Sequence, residues 1–490
     1  MSLRSVQAQM AVNSPRGTRG NGPDMGAYEL APLARNYTSF SHQTPERHIM
    51  IPIARSLVKA ALLLAAALLS PPLQAQRFDP PSGYIVNSTA NTDDSYLPDQ
   101  KCDDGTGRCT LRAAIQNANF ASNFTQDILF NIPTTDPGYD AQTSSYTIRV
   151  SISPMPDVTD SVNIIGPGVN KLAVRYPQRR GYSTPLHIFN VTTSGAVNFT
   201  GLTIGGIMDG ETSGGGIQNS NTGTVSISSC VITGHVFFDE TTNSKGAGVY
   251  NISGTVDITN STISQNAVTA QPYSGFGGGI ANESGTVNVT NSRIVNNSCI
   301  GGAGGGIYNA TGTVSLTNSE VSGNFAGSDD DGDSVGGGAI FNGGTLNVTN
   351  TTISGNGALN LYAGFGSYGG GGILNGTRYG TGATVNLSNS TITGNSLFGI
   401  ATGGGGGGIA NLYSAGTVNV KSSIIALNSS PLSLNVKISF ALPPSSGPDV
   451  YGAFTSQGFN LIGIKDGSTG FTLAQIRREQ SPPRSTPSLT

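Results

Sequence analysis

The amino-acid sequence predicts an all-β, right-handed, single-stranded parallel β-helix with a short N-terminal helical cap, and three observations carry that expectation. One pattern recurs from Gly214 onward with a period of about 31 residues, inside the range of solenoids and propellers. Within each copy apolar and polar residues alternate over short runs such as Thr286-Val287-Asn288-Val289-Thr290, the period-2 mark of a strand with one buried face. Composition agrees: 69 of 490 residues are glycine, only 11% are charged and tryptophan is absent, which suits strands and tight turns better than helices.

Each copy runs from a glycine cluster through an aliphatic residue and an Asn, into a Gly-Thr-Val strand, and out through a string like Asn-Ser-Thr-Ile-Ser-Gly-Asn. Propeller blades need about four antiparallel strands apiece, and leucine-rich or helical repeats need Leu frames or helical periodicity that these copies lack. One coil of roughly three short strands per copy fits better. Stacked at the ~4.8 Å spacing of neighbouring strands, equivalent residues form ladders. The first inward ladder is Ile217, Val249, Ile280, Ile307, Ile340, Ile373 and Ile409. A second runs from Val225 through Val287 and Leu346 to Val418, and a third from Ile232 through Ile294 and Ile353 to Ile425.

Asparagine keeps the same register. Asn219, Asn251, Asn282, Asn309, Asn342, Asn375 and Asn411 follow the glycine strand, while Asn260, Asn291, Asn318, Asn350 and Asn389 sit at a bend. Asn tolerates left-handed backbone angles and its amide can bond the Asn above and below, so a turn ladder is the expected reading. The glycine clusters let backbone turn or pack closely, and they lack the strand-loop-helix context of a phosphate-cradling loop. Weaker coils precede the repeats at 146–150, 161–168, 187–191 and 196–204; atypical terminal repeats suit a solenoid whose ends must be covered.

Ahead of the coils, Met50 opens a stretch with Arg55 and Lys59, an apolar run from Ala60 to Leu69, and Ser70-Pro71-Pro72-Leu73-Gln74-Ala75. That order is the order of a secretory signal peptide, and the run is shorter than the ~20 residues of a membrane-spanning helix. The expected division is an upstream extension over 1–49 from a start assigned too early, a signal peptide over 50–75, a cap region over 76–145, coils over 146–430 and a C-terminal region over 431–490. A secreted or cell-surface chain with no membrane span in its mature part follows. In an oxidising compartment Cys102 and Cys109, flanking Asp103-Asp104-Gly105-Thr106-Gly107, suit a local disulfide. Cys230 and Cys299 fall about two coils apart, beyond the ~7 Å Cα limit for a disulfide, and are expected to be unpaired.

Val86-Asn87-Ser88-Thr89-Ala90-Asn91-Thr92-Asp93-Asp94, then Cys102, then Cys109-Thr110-Leu111-Arg112-Ala113-Ala114-Ile115-Gln116-Asn117-Ala118-Asn119 resembles the CSLREAI domain of bacterial surface proteins. The chain departs from that pattern at Thr110 and Ala113, where the family has Ser and Glu, which leaves Arg112 without its usual neighbour. The resemblance implies that a short helix from Leu111 to Asn119 caps the N-terminal end. Gly447-Pro448-Asp449-Val450 and Ser456-Gln457-Gly458-Phe459-Asn460-Leu461-Ile462-Gly463 resemble the earlier part of a choice-of-anchor Q module. Its closing motif is similar to Pro15-Arg16-Gly17 and Gly22-Pro23-Asp24-Met25-Gly26-Ala27-Tyr28-Glu29, at the other end of the chain, so a gene-boundary error at both ends is expected. Gly337-Gly338-Ala339-Ile340 and its relatives resemble repeats of chlamydial polymorphic outer membrane proteins, which are adhesins.

The pectin-lyase-like solenoid also carries polysaccharide lyases and hydrolases, whose chemistry needs two carboxylates on one groove, or a base with Ca²⁺-binding acids. Acids are sparse here. Asn91-Thr92-Asp93 echoes a polygalacturonase triplet but lacks that family's later His and Arg-Ile-Lys elements. His187 and His235 stand apart from any metal-ligand spacing. Asp329-Asp330-Asp331-Gly332-Asp333 offers oxygens to Ca²⁺ without the distal Glu of an EF-hand, so a solvated acidic loop is the expected reading and no cofactor is assigned. A net charge of −3 gives no basic footprint for nucleic acid. Loops of variable length join each coil to the next glycine cluster and carry aromatics, with Tyr273, Phe276, Tyr362, Phe365, Tyr368 and Phe398 as the candidate ligand face; loop-on-loop packing is the competing reading. The expectation is a non-enzymatic, adhesin-like, monomeric binder of extracellular glycan or protein, with a polysaccharide-acting enzyme or a purely structural repeat protein as alternatives.

Overall fold

A computed structural model describes residues 83–472, apart from 122–123, 151–153, 177–186, 207–213, 240–243, 271–274, 329–335, 361–368, 377–381, 400–403, 413–415 and 431–445. Outside the described residues lie the 1–49 extension, the signal-like segment 50–75, the Asp329–Asp333 loop and the tail beyond 472.

Strands from successive coils pair in parallel to build a β-helix. The coil that begins at Ile280 shows its plan. A strand of the first sheet, Ile280–Asn282, leads to the long strand Thr286–Thr290 of the second sheet. Arg293–Val295 then joins the third sheet and Ser298–Ile300 a fourth. The fourth sheet corrects the expectation of three strands per coil. Its inward ladder is Phe237, Val268, Cys299, Ala326, Ala358 and Leu397, in one-to-one register. These residues differ in size and type, so the row lacks the Ile/Val uniformity that marks the other three.

The core is the three Ile/Val ladders with a second buried row of the long strand, from Ile227 through Val289 and Val348 to Val420, and Phe237, Val268 and Cys299 of the fourth ladder join it. Ile280 pairs with Ile307, Val287 with Val314 and Ile294 with Val321, and all six are fully buried. Burying such a side chain contributes roughly 1.5–3 kcal/mol, and the next coil meets each with a like residue. The repeat length between equivalent Asn residues varies from 27 to 39, yet the register does not slip, because the extra residues fall outside the paired strands.

Corners fix that register. Asn219 Nδ2 donates to Asn251 Oδ1 at 2.9 Å, and the chain of amides continues through Asn282, Asn309, Asn342 and Asn375 to Asn411 with every link at 2.8–2.9 Å. The second Asn series does something different: Asn260, Asn291, Asn318, Asn350 and Asn389 hold left-handed φ angles of 49–52° at the bend between the second and third sheets. Ser229 and Ser422 take the same conformation in flanking coils. In the last two coils left-handed angles also fall on Leu427, after the third-sheet strand Ile424–Ala426, and on Phe459, before the strand Leu461–Ile462; they are 84% and 88% exposed, a costly conformation for bulky side chains. Glycines serve close approach: a Cβ at Gly306 would stand 2.7 Å from the Ala339 carbonyl and 3.0 Å from Asn324 Cγ.

At the N-terminal end, helix α1 (Leu111–Phe120) is started by Thr110, whose hydroxyl accepts from the Ala113 N–H at 3.1 Å. Its apolar face, Leu111, Ala114, Ile115 and Ala118, joins the buried core of the first coil. Ala113 leaves Arg112 without an adjacent Glu, and other groups take that place. Buried Arg112 donates to Asn91 Oδ1 at 3.0 Å and to the Pro154 carbonyl at 2.7 Å, with Asp93 3.6 Å away. A disulfide joins Cys102 to Cys109.

The two Asn series predict opposite responses to substitution. Asn309→Ala strips a donor and an acceptor from a buried chain of amides and is expected to cost about 1–3 kcal/mol. Asn318→Gly relieves a left-handed corner and is expected to cost nothing, whereas Asn318→Ala costs about 1 kcal/mol. Urea midpoints of the three variants check the contrast.

Candidate functional site

Two residues that invite a chemical reading, His235 and Cys230, prove to be members of corner ladders. Sequence reasoning missed these ladders. At the corner between the third and fourth sheets, Asn266, Asn297, Asn324, Asn356, Asn395 and Asn428 pass amide hydrogen bonds from coil to coil at 2.8–3.0 Å. The row ends on the Asp449 carboxylate, which accepts from Asn428 Nδ2 at 2.9 Å. The signal was present as the Asn that closes each copy, after Ser-Gly at Asn324 and Asn356 and after other pairs elsewhere.

His235 heads this row: its N–H donates to Asn266 Oδ1 at 3.2 Å, and its Nε2 lies 3.3 Å from the Ile204 carbonyl. Burial pushes its imidazole down to about 4, against the hydrogen bond to Ile204, with the Arg175 charge adding to the fall. Cys230 likewise heads a hydroxyl row at the preceding corner, its N–H donating to Ser261 Oγ at 3.0 Å, followed by Ser292, Ser319, Thr351, Ser390 and Ser423. Cys230 and Cys299 are both free and buried. Burial pushes the Cys299 thiol up to about 12 and the Cys230 thiol upward as well, so neither is poised as a thiolate.

The surface that offers binding chemistry is the outer face of the fourth sheet. Phe238, Thr269, Ile300, Gly327, Leu359 and Phe398 stand in register along it. Phe238 is 51% exposed and Phe398 43%. Gly327 and Gly357 make room for the rings: a Cβ at Gly327 would lie 2.8 Å from the Phe325 ring, and one at Gly357 3.2 Å from Phe325 and 3.5 Å from Phe398. Segments of variable length, including 271–274, 329–335 and 361–368, follow the strands of this sheet and precede the next glycine cluster.

This placement revises the candidate ligand face. Phe398 sits on a strand, Ser396–Gly399, rather than a loop, as do Phe237, Phe238 and Phe325; Phe237 points inward and is fully buried. Phe276 lies on the short strand Gly275–Phe276 with its ring 4.6 Å from that of Tyr308, which stacks on Phe341 at 5.0 Å. Lys245 stands 5.6 Å from the Phe276 ring and 2.6 Å from Glu283. Packing therefore occupies Phe276. Tyr273, Tyr362, Phe365 and Tyr368 lie outside the described residues.

A second, polar depression of about 610 Å³ crosses the outer corner of the second and third sheets, lined by Asn291, Arg293, Asn318, Glu320, Asn350 and Thr352. Arg293 and Glu320 pair across it at 2.8 Å, and hydrogen bonding from Arg293 holds the Glu320 carboxyl below its usual range. Among the described residues no group of three His, Cys, Asp or Glu side chains is arranged to hold a metal ion, and no helix is long and apolar enough to cross a membrane. No family model matches the chain, and no curated protein or solved structure matches it.

His235 yields a pH prediction. Its folded pKa, about 4, is below the unfolded value of about 6.5, so the unfolded chain binds more protons between them. Stability is therefore full above pH 6.5 and falls by roughly 3 kcal/mol as pH drops toward 4. His235→Asn, which restores the residue of the other coils, should flatten that part of the profile. Urea unfolding at pH 7 and pH 4.5 checks it; equal slopes in both proteins would remove His235 from the account.

Proposed function

We propose that the chain is an exported, adhesin-like β-helix that binds an extracellular glycan or protein without chemically changing it. The single observation behind this reading is the outward row of the fourth sheet, whose exposed Phe238 and Phe398 precede in sequence the segments of variable length. Exposed aromatics provide large contact area at low entropic cost, and insertions at one point of a solenoid coil emerge on its binding face. The signal-like segment 50–75 and the Cys102–Cys109 disulfide support export, since disulfides persist in oxidising compartments. Likeness of 86–119 to the CSLREAI domain supports a place at a bacterial cell surface. Two acids of the coils are held in ion pairs, Glu283 with Lys245 and Glu320 with Arg293, which supports binding over acid–base turnover.

Phe238→Ser with Phe398→Ser tests the reading. Both side chains are about half exposed, so each substitution should cost about 1–2 kcal/mol and leave the fold in place. On a glycan array and a panel of immobilised extracellular proteins, the double variant should lose the capture shown by the parent chain. A reducing-end assay on acidic polysaccharides should show no turnover; clear release of reducing ends would favour a lyase or hydrolase instead.

A further inference from the structure

The outer face of the second sheet is a two-dimensional lattice of hydroxyl and amide groups, and we infer that it binds ice. The observations are independent of the fourth-sheet row. The first outward position of the long strand is threonine in seven successive coils, from Thr224 to Thr417, paired one to one throughout. The last outward position adds Thr259, Thr290, Thr317 and Thr349. Between them lies a rank of short polar residues, including Asn288, Asn347 and Asn386. The groups repeat at ~4.8 Å from coil to coil and at ~6.6 Å along each strand, over a face about 29 Å long. Oxygen rows on a prism face of hexagonal ice repeat at a slightly shorter spacing than the first and a somewhat longer one than the second.

Three properties make this array a template for ordered water. Threonine is stiff at χ1, which limits the orientations open to the hydroxyls of one rank. Central amides bond along the rank, Asn386 to Asn347 and Asn419 to Asn386 at 2.9 Å and Asn288 to the Asp257 carboxylate at 2.8 Å, and such side-chain ladders hold a many-stranded sheet flat. Charge is absent where the array is most regular. Between Asp257 and Lys421, the outward positions of four successive strands, Thr286–Thr290, Thr313–Thr317, Thr345–Thr349 and Thr384–Ser388, are hydroxyl and amide alone. A charged side chain would keep its own hydration shell and break the lattice; an uncharged face matches an uncharged crystal. These strands place no aromatic side chain outward, so the face lacks the stacking platform that a glycan chain would use.

Partition of the full chain into slowly growing ice is the test, read as its enrichment in ice over liquid against a reference protein that the ice front rejects. The parent chain should be enriched. Thr313→Tyr with Thr345→Tyr, outward and strand-compatible, should abolish the enrichment while circular dichroism stays unchanged. Should that pair misfold, Thr313→Val with Thr345→Val keeps the shape, removes the hydroxyls and should also lower it. Phe238→Ser with Phe398→Ser should leave it intact, which separates this face from the proposed ligand site. Rejection of the parent chain by ice overturns the inference. So does undiminished enrichment in whichever folded threonine variant is read, or capture by insoluble β-linked glycan that depends on Thr313 and Thr345 without ice enrichment.

Discussion

Register between coils is the constraint on which the rest depends. A parallel strand could in principle slide by one residue, and a slide would turn every Ile and Val outward. Amide ladders at two corners prevent it. In the row from Asn266 to Asn428 each interior side chain accepts from one coil and donates to the other; Asn324 Nδ2, for instance, reaches Asn356 Oδ1 at 3.0 Å and the Ile294 carbonyl at 2.9 Å. A slip would leave such buried groups unpaired in low dielectric, the costly outcome. Identical side chains recur because they solve one corner problem repeatedly.

Fixed register divides the molecule into a part that cannot vary and a part that can. Inward ladders and corners require specific residues, while segments leaving the fourth sheet need only return the chain to the next glycine cluster. Their length can change without disturbing the stack, since closing a longer loop adds little entropy cost. The outward face of the second sheet inherits its periodicity from the core, because Thr286, Asn288 and Thr290 alternate with buried Val287 and Val289. An ordered polar array and a face bordered by segments of variable length thus coexist on one solenoid.

The coil plan was legible in the sequence wherever one residue type recurred at one position. Ile280, Ile307 and Ile340 announce a ladder by themselves, and the run from Leu111 to Asn119 announces a short helix. The fourth ladder stayed hidden because Phe237, Cys299 and Ala326 share only burial, a property that appears once the coils are stacked. His235 and Cys230 were legible as unusual residues, but their roles depend on what Asn and Ser do at the same corner in later coils. Phe276 and Phe398 look alike in the sequence and differ in space: one has Tyr308 against its ring, the other faces solvent. Contacts between loops and strands of different coils decide that, and no local pattern encodes them.

Spin-label distances along one rank test the stacking most directly. With labels at residue pairs 224/313 and 224/417, introduced as Thr→Cys substitutions, the account predicts separations that grow linearly by ~4.8 Å per coil, to about 14 Å and about 29 Å between backbone positions. A second distance no longer than the first, as antiparallel blades or a folded-back chain would give, would contradict it.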